Sequence, residues 1–169
     1  MARIIVSCLF FGVIFNSQLH GQNFSGQVYL LSEDFLEDRC LVLVEGNECS
    51  TDLIFLSDKT FAMVNRCLAN DTYYMGSYSR KKNVLKLTFK AVMARETYDP
   101  KLDKKKYEKT KSKIDPIAFT ITTCDVGKLT LEHTPIRDYQ FGSRVTGKAA
   151  REKIIKLKIS RGWKMISGT

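Results

Sequence analysis

STDLIFLSDKTFAMVNRC, residues 50–67, sets two apolar runs on either side of a short polar loop. If Ser57, Asp58 and Lys59 form that loop, Leu56 faces Thr60, Phe55 faces Phe61 and Leu53 faces Met63. Each pair then shares one side of a hairpin, as burial of that side requires. Carrying the same ladder outward places Cys49 opposite Cys67 on the same face, where a cross-strand disulfide fits. The stretch therefore reads as a pair of antiparallel strands stapled at their open end.

The same period of two recurs along the chain. It is clearest in Val84 to Met93, where Leu85, Leu87, Phe89, Ala91 and Met93 alternate with Lys86, Thr88 and Lys90, the pattern of a half-buried strand. Shorter runs lie at 26–31, 39–45, 53–56, 60–67, 72–79, 117–124, 129–133, 137–141 and 153–159. About ten short strands in a single domain predict an antiparallel barrel or sandwich. In TTCDVGKLTLE, residues 122–132, glycine at the third loop position sets Thr123 against Leu129, Ile121 against Leu131 and Phe119 against His133, which leaves Cys124 on the other face. A third hairpin, closed through residues 80–83, pairs Tyr78 with Leu85, Gly76 with Leu87 and Tyr74 with Phe89. Gly76 there leaves room for a large neighbour or allows a bend.

The first residues, MARIIVSCLFFGVIFNSQLHG, combine Arg3, an apolar run from Ile4 to Phe15 and a polar end. That is the layout of a secretory signal peptide over residues 1–21, followed by a single domain over 22–169. No later stretch has the apolar length of a membrane helix. The expected location is secreted or periplasmic, and in such a compartment Cys40, Cys49, Cys67 and Cys124 are disulfide candidates. Cys40 and Cys124 pair only by exclusion, with free thiols as the alternative. The formal charge of +9 suits acidic partners without requiring one.

KLDKKKYEKTKSK, residues 101–113, concentrates that charge and reads as the extended, solvated tip between two strands. With Tyr107 as its one aromatic residue, it makes a poor nucleic-acid signature. REKIIKLKISRGWKMI, residues 151–166, alternates Ile155, Leu157 and Ile159 with lysines and is expected to be a strand with a basic outer face, with Trp163 closing one end of the core. GSRVTGKA, residues 142–149, nearly matches a phosphate-binding loop, but Ala149 stands where a hydroxyl would hold magnesium, so it reads as a flexible basic turn. In SEDFLED, residues 32–38, Ser32 is expected to cap a short helix whose start carries Asp34, Glu37 and Asp38. His133, the one histidine beyond the leader, falls on an apolar face, where a core or rim role outweighs catalysis. No catalytic residue, metal ligand or cofactor is expected.

The segment from Phe55 to Phe89, with Asp58-Lys59-Thr60-Phe61, Gly76-Ser77-Tyr78 and Asn83-Val84-Leu85-Lys86-Leu87-Thr88-Phe89, resembles small exported bacterial lipocalin-like domains of the calycin type. The resemblance implies an up-and-down barrel of about eight strands and raises the prior for ligand binding. The combined expectation is an all-β, antiparallel up-and-down β-barrel of about 8–10 strands with room for one short helix. Its expected function is non-catalytic binding, with a small apolar ligand between Phe61, Met63, Tyr74, Leu87 and Phe89. The alternative for those residues is a solid core. The second functional class is an extracellular or envelope interaction protein that offers Lys104, Lys105 and Lys106 to an anionic surface or glycan. Hydrolytic activity ranks third.

Overall fold

The computed structural model describes residues 23–43, 49–57, 59–67, 70–124, 127–133 and 141–169. The expected signal peptide at 1–21, residues 44–45 of the expected strand at 39–45, Asp58, Asp125, Val126 and residues 137–140 of the expected strand at 137–141 lie outside them. The strands are β1 (Val28–Ser32), β2 (Asp34–Leu36), β3 (Leu41–Leu43), β4 (Cys49–Phe55), β5 (Thr60–Cys67) and β6 (Asn70–Lys81). They continue as β7 (Val84–Asp99), β8 (Lys104–Lys111), β9 (Ile117–Thr123), β10 (Leu129–His133) and β11 (Phe141–Val145), before helices α1 (Gly147–Ile159) and α2 (Arg161–Ser167).

Eight strands close a barrel in the order β1-β4-β5-β6-β7-β9-β10-β11 and back to β1, every pair antiparallel. This is an up-and-down barrel interrupted twice, once by the small β2–β3 sheet and once by β8. The opening hairpin has the expected register, with Phe55 opposite Phe61, Leu53 opposite Met63 and Cys49 opposite Cys67. Thr123, Ile121 and Phe119 likewise face Leu129, Leu131 and His133. Disulfides join Cys49 to Cys67 and Cys40 to Cys124.

The third hairpin differs from its expected register. Lys82 takes a φ of 56°, which lets two residues, Lys82 and Asn83, close a tight turn. Arg80 then faces Leu85, Tyr78 faces Leu87 and Gly76 faces Phe89. A slip of two leaves every side chain on its expected face, so the burial pattern could not reveal it. Beyond Gly76 the ladder shifts again, and Tyr74 faces Met93. A Cβ on Gly76 would meet the Thr88 carbonyl oxygen at 2.1 Å and the Phe61 ring at 2.7 Å. The glycine is what lets β7 and the Phe61 ring approach at this irregularity.

The lysine-rich segment is not a loop. Lys104–Lys111 is a strand that continues the β7–β9 hairpin past the barrel rim, with Asp99 opposite Lys104 and Val92 opposite Lys111. Only Pro100, Lys101, Leu102 and Asp103 form the tip. Among the described residues β8 pairs with β7 alone, and a run of lysines on such an edge discourages further strand pairing.

Alternation along the strands builds two cores. The inner one fills the barrel with Phe24, Tyr29, Leu31, Leu53, Phe55, Phe61, Met63, Leu85, Leu87, Phe119, Ile121 and Leu131. The outer one sandwiches Val28, Ile54, Ala62, Val64, Tyr73, Met75 and Ala94 against Ala150, Leu157, Trp163 and Ile166 of the two helices.

That outer layer corrects the expected C-terminal strand. Residues 147–159 are helical, because Ala150, Ile154 and Leu157 form a stripe at helical spacing that fits the sheet. Ile155 and Ile159, expected on the inward face of a strand, are 58% and 68% exposed. The expected basic turn at 142–149 is instead the end of β11 and the first turn of α1. Trp163 belongs to the outer core and closes no barrel end. Ser32 caps no helix: its Oγ donates to the Leu43 carbonyl at 2.6 Å and accepts from the Asp34 amide, and residues 34–36 are strand before one 3-10 turn at Glu37–Arg39.

Candidate functional site

The two ends of the barrel differ. At one end the Phe24 ring, 2% exposed, packs against Phe55 at 4.9 Å, Tyr78 at 6.1 Å and Tyr29 at 6.3 Å, with the Arg80 guanidinium 5.8 Å from its centre. This end is plugged. Towards the other end, register carries the inward positions of β4, β5 and β6 from Leu53, Met63 and Tyr74 to Thr51, Asn65 and Thr72. The interior thus becomes polar, and Tyr74, Phe89 and Met93 are half-buried there.

The five expected lining residues all face this interior. Phe61, Met63 and Leu87 are buried in the inner core, whereas Tyr74 and Phe89 pack on its edge. Phe89 meets Phe61 edge-on at 5.1 Å and Tyr74 at 6.3 Å, so these rings form one wall. His133 is buried, its ring edge-on to Phe119 at 5.4 Å. Among the described residues no cluster of three or more histidine, cysteine or acidic side chains could hold a metal.

The structure divides the expected anionic-partner lysines. Lys105 forms an ion pair with the buried Glu96 carboxylate, which also accepts a hydrogen bond of 2.6 Å from the Tyr107 hydroxyl. That bond to Glu96 holds the Lys105 ammonium above its ordinary pKa, and burial, then Glu96, raises the Tyr107 phenol. Lys106 pairs with Glu108 at 3.0 Å, and Lys104 is exposed. Two of the three charges are therefore already answered within the arm.

A cavity of about 800 Å³ lies outside the barrel. It is a groove between the β4–β5 turn, the outer faces of β6 and β7, and the two helices. Its apolar floor includes Leu56, Met75, Ile154 and Trp163, and Lys90, Lys158 and Lys164 stand around it. Sequence reasoning missed this site because it read as a strand the segment that builds half of the groove. One signal was available: LIFL and FAMV, residues 53–56 and 61–64, are apolar on both strand faces, and a barrel wall of that kind needs an outer cover.

Elsewhere in the outer layer, the Asp52 side chain is fully buried and accepts from Lys153 Nζ at 2.6 Å and Arg66 Nε at 3.2 Å. Arg66 also reaches Asp71 at 3.3 Å, which accepts from the Tyr73 hydroxyl. This network pins α1 to β4 and β5 through Lys153. Its groups are committed to one another, which suits a structural role.

No protein-family model and no curated protein matches this chain. Among solved structures, it resembles a streptavidin-like protein from Bacteroides eggerthii, with a TM-score of 0.56 and 12% sequence identity over 84% of this chain and 93% of that one. The likeness is one of fold, a closed antiparallel barrel that in this chain has eight strands.

Proposed function

We propose that this chain is an exported, non-catalytic binding protein that takes a small apolar ligand at the half-open end of its barrel. The observation behind the reading is the graded interior, plugged by Phe24 at one end and changing to Thr51, Asn65 and Thr72 beside half-buried Tyr74 and Phe89 at the other. Such a gradient gives an apolar ligand a wall to cover and a few polar groups to orient it. Eight strands enclose a space that side chains can just fill or that holds one small ligand, as in lipocalins and streptavidin. The streptavidin-like relative in fold agrees with that use. Two disulfides suit an oxidising compartment, and no helix among the described residues is long and apolar enough to cross a membrane.

The test is uptake of the neutral dye Nile red by stripped protein, together with native mass spectrometry of exported material. Tyr74→Arg, folded by circular dichroism, is expected to lose the dye. Equal uptake by that variant, or no uptake by the parent, would reject the reading.

A second reading has its own observation. α1 shows solvent Ile155 and Ile159 one turn apart, among Arg151, Lys156 and Lys158, a face suited to an anionic surface such as lipid headgroups or glycan. Lys104 and the arm would assist. Salt-sensitive binding to anionic vesicles that survives Lys104→Gln, Lys105→Gln and Lys106→Gln together but fails in Lys156→Gln with Ile159→Ser would assign it to α1.

A further inference from the structure

We propose that the outer groove binds one single-chain amphiphile, its acyl chain on the apolar floor and its anionic head between Lys90, Lys158 and Lys164. The groove lies on the opposite side of the barrel wall from the interior, so the inference stands independently of an interior ligand.

The size and chemistry of the groove select the ligand. About 800 Å³ is within the range of small-molecule sites. Leu56, Met75 and Ile154 supply aliphatic and thioether surface, and Trp163 is only 6% exposed. The floor therefore offers a chain a place to lie and offers a base or sugar no open aromatic face for stacking. The three lysines come from β7, α1 and α2, so the fold itself brings them together. No acidic side chain appears among the described residues lining the groove. Lys105, Lys106, Lys148 and Lys153 each have a carboxylate partner, whereas Lys90, Lys158 and Lys164 form no ion pair among the described residues. Three cations with no ion-pair partner among the described residues, beside an apolar trough, lower the free energy of an anion whose remainder is apolar. A purely apolar ligand would leave their mutual repulsion in place.

Trp163 is the single tryptophan of the chain and forms part of the groove wall, so its fluorescence reports occupancy. Titration of the disulfide-bonded protein with 9,10-dibromostearate below its micellar concentration should quench Trp163 saturably, one molecule per chain. The methyl ester of the same acid should fail to quench. Lys158→Gln with Lys164→Gln should weaken binding on the order of tenfold and flatten its dependence on salt, while Tyr74→Arg at the barrel mouth should leave it unchanged. Absence of quenching, equal quenching by the ester, or unchanged affinity in the double lysine variant would overturn the proposal. Loss of quenching in Tyr74→Arg would also overturn it by moving the ligand into the barrel.

Discussion

The inner and outer cores use the same strands and are specified differently. Inside the barrel, each hairpin supplies both halves of its own contacts: Leu53, Phe55, Phe61 and Met63 meet across one turn. Outside it, Ile54, Ala62 and Val64 meet Ala150, Leu157 and Trp163, nearly a hundred residues away. The first arrangement follows from alternation and turn length. The second depends on a helix whose identity as a helix is settled only by the sheet it covers.

The largest effect that tests this contrast belongs to the inner core. Gly76→Ala would force a Cβ into the Thr88 carbonyl at 2.1 Å, and a backbone oxygen cannot swing aside. The cost should exceed the roughly 1–3 kcal/mol of an ordinary overfilled core. Thermal unfolding should show a large fall in midpoint or no folded protein at all. Adding Phe61→Leu should recover only part of it, because that relieves the ring and leaves the carbonyl contact. A Gly76→Ala protein of parental stability would refute the assigned packing.

Trp163→Ala probes the outer core and should cost about 3 kcal/mol. Its pattern matters more than its size. The helices should loosen while the barrel hairpins and both disulfides persist, so helical and sheet signals in circular dichroism should melt apart. One coincident transition would mean that the two cores form a single cooperative unit.

The same contrast explains what the sequence made legible. The all-β barrel class, two of the three hairpin registers and the Cys49–Cys67 partnership follow from side-chain period and loop length. The third hairpin was displaced by two residues, a shift that leaves polarity unchanged and is decided by the backbone angle of Lys82. KIIKLKI satisfies both the strand and the helical template, since Leu157 is common to Ile155-Leu157-Ile159 and to Ile154-Leu157. Period alone could not choose between them. The groove needs that helix, so it was hidden for the same reason. The lysine arm was legible as exposed, but its pairing with β7 was not, because exposed alternation of lysine with threonine and glutamate gives no apolar face to read.

Between the two layers sits Asp52, and Lys153→Met tests how firmly the helix is tied to the sheet. The substitution removes one of two cations from a carboxylate with no solvent exposure and leaves Arg66 in place. A loss of about 1–3 kcal/mol is expected, smaller than for Trp163→Ala. Pairing it with Asp52→Asn should restore part of the loss, since the uncompensated charge is then gone. Additive losses in the double variant would show that the ion pair does not couple helix to sheet.

The smallest effect is absent at neutral pH and compares the cores through one tyrosine in each. Burial pushes the Tyr29 phenol of the inner core up to about 12, against the opposing pull of Arg144 and Arg80. Burial, with the Asp71 carboxylate adding to it, pushes Tyr73 of the outer core to about 12 as well. In the unfolded chain both phenols ionise near pH 10, so between about pH 10 and 12 the folded state binds more protons and stability must fall as pH rises. Their contribution is complete below pH 10 and lost as pH passes about 12, at no more than about 1.4 kcal/mol per pH unit for each phenol. Tyr29→Phe and Tyr73→Phe should each flatten the alkaline fall in denaturant midpoint, and absorbance of the parent near 295 nm should show late-titrating phenols that the variants lack. If Tyr73→Phe alone flattens it, the alkaline weakness belongs to the helix layer. Equal flattening by both would show that the cores, though specified by different parts of the chain, exclude water equally well.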